Sequence, residues 1–207
     1  VSVEIKRFVT GPLETNTYVM SNNGMCLVVD PSSGCDAVID YIVRQKLLPE
    51  AIVLTHGHFD HIMGIPEIQA RFPGIKVWVH PDERIVLTNA DYNGSPMLGR
   101  PFSYKGPLSD LKEGQLTIGS FAMTVLLIPG HSPGGCALLF DDQCICGDII
   151  FAGSVGRSDF PGGDGEQLIA GIKSKLLTLP EYYVLHPGHG GRTTIGREKK
   201  YNPFLEQ

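Results

Sequence analysis

The chain predicts an α/β fold in which two β-sheets pack face to face with helices on the outside. Three observations carry that expectation. Both halves open with hairpin-like strands and pass into helix–strand alternation, the pattern of a layered α/β domain. Ala51-Ile52-Val53-Leu54 is continuously apolar, which marks a strand covered on both faces. The 25 glycines and 15 prolines among 207 residues supply many tight turns, and loops on a rigid scaffold commonly carry function.

Residues 3–9 alternate in polarity, and the β-rich runs 17–21 and 25–29 flank Asn22-Asn23-Gly24, a strong hairpin signal. Residues 35–46 place Ala37, Val38, Tyr41, Ile42 and Val43 at helical spacing. After the strand at 51–54, residues 66–72 read as a helix with proline in its first turn, 76–79 as a strand and 81–88 as a short helix. Residues 89–107 form the longest irregular stretch. A hairpin follows over 115–118 and 121–128, turning at Gly119-Ser120, and another over 136–140 and 143–146, turning at the solvated pair Asp141-Asp142. A helix at 165–177 and a strand at 182–185 complete the pattern. With no linker or precise repeat, a single domain is expected over 1–207.

Composition narrows the function. With 42% apolar and 19% charged residues the chain is globular, not disordered. Its formal charge of −5 and lack of a long basic run argue against a nucleic-acid partner. No apolar stretch reaches the ~18 to 20 residues of a membrane span. The start shows neither the basic nor the apolar region of a secretory signal. Cys26, Cys35, Cys136, Cys144 and Cys146 are an odd count within apolar segments, which suits buried thiols in a reducing compartment. A cytoplasmic location is the expectation.

The chemistry concentrates at strand ends. Thr55-His56-Gly57-His58-Phe59-Asp60-His61 follows the buried strand directly and reads as an irregular loop whose alternate side chains converge on more than one point. It is not the helical H-E-x-x-H arrangement, whose two ligands share one helix face. Apolar strands also stop at Pro129-Gly130-His131 and near Pro187-Gly188-His189, and a further one stops at Gly147-Asp148. Four strand ends thus deliver His56, His58, Asp60, His61, His131, Asp148 and His189. Seven N/O donors exceed the needs of one tetrahedral zinc, and two ions sharing one carboxylate would use them all. Zinc, iron and manganese all suit such a set. His80 reads as structural, His186 equally as a residue supporting the site or as a satisfied loop histidine, and Cys144 and Cys146 as core residues on one strand face.

Residues 54–61, Pro129-Gly-His-Ser-Pro-Gly134, Gly147-Asp-Ile-Ile-Phe151, the loop 153–163 and Pro187-Gly-His189 together resemble the metallo-β-lactamase superfamily. Within it the chain is most similar to short glyoxalase II-like (hydroxyacylglutathione hydrolase-like) proteins. The resemblance implies an αββα four-layer sandwich with its site at one edge between the sheets. It implies that His56, His58 and His131 hold one metal ion, that Asp60, His61 and His189 hold a second, and that Asp148 bridges them. It implies two divalent ions, zinc first, and a hydrolase in which a metal-bridging hydroxide attacks a thioester such as S-D-lactoylglutathione, with Asp60 orienting the nucleophile. Arg157 falls where the family uses a basic residue near the glutathione moiety, and its planar fork suits a substrate carboxylate. Full-length glyoxalase II enzymes add a helical C-terminal domain that contributes to glutathione binding, and the 18 residues after His189 are too few for one.

The expected partner is therefore a small-molecule thioester, with oligomeric state left open by the sequence. Alternatives from the same superfamily are a mononuclear iron persulfide dioxygenase and a lactonase. A β-lactamase is disfavoured because many zinc β-lactamases use cysteine where this chain has Asp148, and a nuclease because the chain is acidic. A non-catalytic metal-stabilised binding module fits a complete donor set poorly.

Overall fold

The computed structural model describes residues 3–206. The domain expected over 1–207 also takes in Val1, Ser2 and Gln207, which lie outside the described residues. One six-stranded sheet contains, in spatial order, β1 (Glu4–Thr10), β2 (Thr15–Asn22), β3 (Met25–Val29), β4 (Leu48–Val53), β5 (Lys76–Val79) and β6 (Leu108–Asp110). The second is built from β7 (Gly114–Ile118), β8 (Phe121–Leu127), β9 (Cys136–Phe140), β10 (Gln143–Gly147), β13 (Val184–Pro187) and β14 (Thr193–Thr194), ordered β14-β13-β10-β9-β8-β7. A small hairpin pairs β11 (Ile150–Phe151) with β12 (Ser154–Val155).

Period-two alternation splits the apolar residues among three clusters. On β4, Ala51 and Val53 enter the layer between the sheets, where they join Tyr18 and Met20 of β2 and Leu138 and Ile145 of the second sheet. Ile52 of β4 and Leu54, just past its end, point the other way, against Val38 and Ile42 of α1 (Asp36–Arg44), Ile62 of α2 (Phe59–Ile62), Ile65 and Ile68 of α3 (Ile65–Arg71) and Leu87 of α4 (Arg84–Thr88). On the far side, Cys144, Cys146 and Leu185 pack with Leu168 of α6 (Gly165–Gly171) and Ile195 of α7 (Ile195–Tyr201). The α5 turn (Ala90–Asn93) lies in the long connection between α4 and β6. Helices therefore cover both outer faces, and the layers run αββα as expected. All five cysteines are free and buried, and Cys144 and Cys146 share the outer face. Among the described residues, no helix is long and apolar enough to cross a membrane.

Several boundaries differ from expectation, each for a local reason. Residues 59–62 are a helical turn, not loop, so Asp60 and His61 sit on a short helix instead of an extended segment. The irregular stretch 89–107 contains α5 and a 3₁₀ turn at Ser95–Leu98. The helix expected over 165–177 is α-helical only to Gly171 and then widens into a π-type turn, Ile172–Leu176. The strand expected at 182–185 begins at Val184, because Tyr182 is exposed. The two- and three-residue strands β6, β11, β12 and β14 are too short for a periodic signal, and α7 buries only Ile195 and Glu198.

Topology explains why the donors converge. β3 runs parallel to β4, and β10 parallel to β13, so each pair ends on the same edge of the sandwich. Main-chain bonds then tie the sheets together at that edge: Cys136 N donates to Thr55 O at 2.9 Å, and Asn16 N to Gly188 O at 2.7 Å. At Gly188 a side chain has no room, since a Cβ would run into the Asp148 carboxylate and the His61 ring.

The buried layers make a simple prediction for stability. Ile52→Ala, at a fully buried position near the end of β4, should cost ~2–5 kcal/mol, whereas Leu48→Ala at the 63% exposed start of the same strand should stay within about 0.5 kcal/mol. Urea unfolding of both variants tests this, and equal losses would contradict the packing described.

Candidate metal centre

His58 stands just before the α2 turn, and its extended backbone (φ −65°, ψ 149°) lets the chain leave β4 and turn back at once. His56 and His58 precede the turn, and Asp60 and His61 lie on it. The other donors arrive from the second sheet, His131 after β8, Asp148 after β10 and His189 after β13. All seven predicted donors meet at one edge. Potential ligand atoms of His56, His58 and His131 lie within 4.8 Å of one another, as do those of Asp60, His61 and His189. Asp148 stands between the two groups: its oxygens are 3.7 Å from His131 Nε2, 3.4 Å from His61 Nε2 and 3.5 Å from His189 Nε2.

Fixed acceptors hold the imidazoles in one orientation. The Thr55 hydroxyl donates to Asp30 at 2.6 Å, so its oxygen accepts from His56 Nδ1 at 3.1 Å. His61 Nδ1 donates to Asp30 Oδ2 at 3.1 Å, His131 Nδ1 to the Arg157 carbonyl at 2.7 Å, and His189 Nδ1 to the Leu13 carbonyl at 3.1 Å. In each ring the opposite nitrogen, Nε2, is left facing the cleft, as outer partners of metal-binding histidines usually arrange. His58 is turned differently, with Nδ1 2.8 Å from His131 Nε2, and two ring nitrogens so close need a proton or a cation between them.

Whether the donors fit metal ions is decided by the atoms they leave bare. Buried nitrogen or oxygen without a hydrogen-bond partner is costly and uncommon, yet Nε2 of His56, His58 and His61 and Oδ1 of Asp148 are all in that state. Those of His56, His61 and Asp148 lie among the donors and fit cations, whereas His58 meets the group through Nδ1. A third possible grouping, Asp30 with His56 and His61, is closed, because Asp30 already accepts from Thr55 N, the Thr55 hydroxyl and His61.

Electrostatics divides the site in two. Burial pushes the His56 and His131 rings toward their neutral form, and burial together with the neighbouring His131 pushes His58 down to about 3. Burial would also lower His61, but the Asp60 and Asp148 carboxylates outweigh it and raise its pKa. Conversely, burial would raise Asp60 and Asp148, yet His61 beside them holds both below the usual carboxylate range. Neutral imidazoles and ionised carboxylates are the forms that bind metal, so an ion entering beside His61 would displace its proton.

Three supporting residues escaped sequence reasoning. Asp30, at the end of β3 with φ of +50°, fixes Thr55 and His61. An acid at the end of a buried run was the signal that could have found it. The Thr15 hydroxyl donates to Asp60 Oδ2 at 2.9 Å. Glu83, wholly buried, accepts from Gly57 N at 2.7 Å and Gly134 N at 2.6 Å, tying the His56–His58 segment to the segment after His131. Nothing in the pattern around Glu83 marks it.

Arg157 is placed at the cleft, but its guanidinium is already engaged. Nε and Nη2 donate to Asp159 at 2.6 and 2.8 Å, and the fork stacks 4.3 Å from the centre of the Phe160 ring. A substrate carboxylate would have to displace Asp159, and the Arg157 atom nearest the donors is its carbonyl oxygen on His131. His80 caps the Pro81–Glu83 turn by accepting from Asp82 N, and His186 contacts Gln143 at 2.9 Å.

Glu83→Gln replaces one acceptor oxygen by an amide donor, leaving Gly57 or Gly134 unpaired. Metal affinity should fall about 10- to 100-fold, read by competition with a chromophoric chelator. Unchanged affinity would show that the tie does not position the ligands.

Comparison with known proteins agrees with this architecture. The chain is 39% identical to the probable metallo-hydrolase YqgX of Bacillus subtilis, over 97% of this chain and 96% of that one. It is 34% identical to the hydroxyacylglutathione hydrolase GloC of Haemophilus influenzae, over 86% of each. Among solved structures, the BLEG-1 B3 metallo-beta-lactamase superposes with a TM-score of 0.93 at 40% identity, covering 99% of this chain and all of that one. TTHA1623 in a di-iron-bound form gives 0.88 at 35% identity, covering 97% of this chain and 100% of that one. The sequence profile of the metallo-beta-lactamase superfamily matches residues 10–189, and the chain belongs to that superfamily of metallo-hydrolases.

Proposed function

We propose that this metallo-hydrolase is binuclear and cleaves thioesters, S-acylglutathiones such as S-D-lactoylglutathione being the reference substrates. The observation that carries the reading is the pair of donor groups with Asp148 between them. His56, His58 and His131 hold one divalent ion, Asp60, His61 and His189 the other, and Asp148 reaches both. Zinc is the expected metal, and the di-iron form of TTHA1623 supports iron as a second candidate. When bound, the ions supply an acidified water as nucleophile and polarise the scissile carbonyl.

The chain's own residues prepare that chemistry. Asp60, anchored by the Thr15 hydroxyl, would orient the attacking water by accepting a hydrogen bond from it. Asp30 and the Arg157 carbonyl keep His61 and His131 in one tautomer, so the site needs no rearrangement when charge develops. No serine or cysteine nucleophile is required. The likeness to the hydroxyacylglutathione hydrolase GloC supports the thioester as substrate. Hydrolysis of a β-lactam amide is a second reading, favoured by the 40% identity to the BLEG-1 B3 metallo-beta-lactamase.

The test assays metal-loaded protein with S-D-lactoylglutathione and nitrocefin, and follows oxygen with glutathione persulfide. Thiol release from the first substrate without oxygen uptake from the persulfide is expected. Nitrocefin turnover alone would move the assignment to a β-lactamase, and oxygen consumption to a dioxygenase. Asp148→Ala should lower activity beyond the ~10- to 100-fold that losing an outer partner costs. Asp142→Ala, on the exposed hairpin turn, should change it less than about twofold. Comparable losses at equal folded fraction would reject the role of Asp148.

A further inference from the structure

Above the donor groups lies a cleft of about 500 Å³, within the usual range for small-molecule sites. Its lining divides cleanly. Five of the candidate ligands form the floor, and Leu13, Phe59, Met97, Leu98, Phe151 and Phe160 form the walls. Arg157 is the one cation among the described lining residues, and Asp159 already pairs with it along its fork.

The walls come from chain segments far apart in sequence. Leu13 sits on the turn between β1 and β2, whereas Met97 and Leu98 sit on the 3₁₀ turn after α5. These three are 46%, 67% and 37% exposed, and large apolar side chains gathered on one rim mark a binding surface. The 3₁₀ segment is seated by Gly94, at φ +81°, where a Cβ would stand 3.3 Å from the Phe160 ring. That same ring lies 4.9 Å from His58, and Phe151 lies 6.1 Å from His189. The apolar wall is therefore continuous with the ligand groups.

We infer that the substrate carries an uncharged apolar group, of hexanoyl or phenylacetyl size, seated against the wall to which Met97, Leu98, Phe151 and Phe160 contribute. This group, not the carboxylates of a tripeptide, sets specificity. The inference rests on the thioester reading for the bond that is cleaved, while the shape and chemistry of the cleft stand independently of it. Methionine suits the role, since its unbranched thioether adapts to acyl groups of different shape.

Two measurements on zinc-loaded protein test it. In a series of N-acetylcysteamine thioesters from acetyl to hexanoyl, kcat/KM should rise about fourfold per methylene until the cleft is full. The hexanoyl ester should exceed S-D-lactoylglutathione, and Met97→Glu should flatten the rise. Independently of turnover, the methyl resonance of Met97 in methyl-13C-methionine protein, assigned with Met97→Leu, should shift and saturate with hexanamide but not with glutathione. A flat series, or preference for S-D-lactoylglutathione, overturns the inference and leaves the hydrolase reading standing. A saturable Met97 shift without any thioester turnover supports the apolar site and overturns the thioester reading. Neither turnover nor shift overturns both.

Discussion

Four imidazole N–H groups, each donating to an acceptor fixed by the fold, are what the rest of the site depends on. His56, His61, His131 and His189 each direct Nδ1 outward, to Thr55, Asp30, the Arg157 carbonyl and the Leu13 carbonyl. In its neutral, metal-binding form an imidazole has one donor and one acceptor, so committing the donor outward leaves the lone pair of Nε2 toward the other donors. Two of the acceptors are main-chain carbonyls whose positions follow from the path of the chain. Orientation of the ligands is thus a property of backbone geometry as much as of side-chain packing.

The same geometry explains how a chain this size concentrates so many costly groups without unfolding. The donors are buried, and bare buried polar atoms are tolerated only where something compensates. Part of the compensation is internal: His61 lies 3.3 Å from Asp60 and 3.4 Å from Asp148, and Glu83 and Asp30 each satisfy several donors around the donor groups. The rest falls to the ions. Around this polar focus the cleft is apolar, and low polarity strengthens electrostatic interactions at the floor. Polar floor and apolar wall therefore act together.

Much of this was legible in the sequence because two strong periodic signals set it. The continuous apolar run 51–54 and the alternation on either side fixed the two-faced strands, and the Pro-Gly-His turns announced where strands stop. The seven candidate donors all reach one edge. What was not legible depends on contacts between distant segments. Glu83 lies in a short helix with no distinctive neighbours, yet it bridges Gly57 and Gly134. Asp159 carries no signal of its own in the sequence, and only the folded loop shows it pairing with Arg157. The helical turn at Phe59–Ile62 escaped because four residues carry no period, and β14 escaped for the same reason.

As proposed, the seven donors form two sites joined by Asp148. Metal stoichiometry tests this claim most directly. Protein stripped with chelator, reconstituted with excess zinc and freed of unbound ion should carry two zinc ions per chain by elemental analysis, and Asp148→Ala should carry fewer. Saturation at one ion per chain in the unaltered protein would contradict the claim.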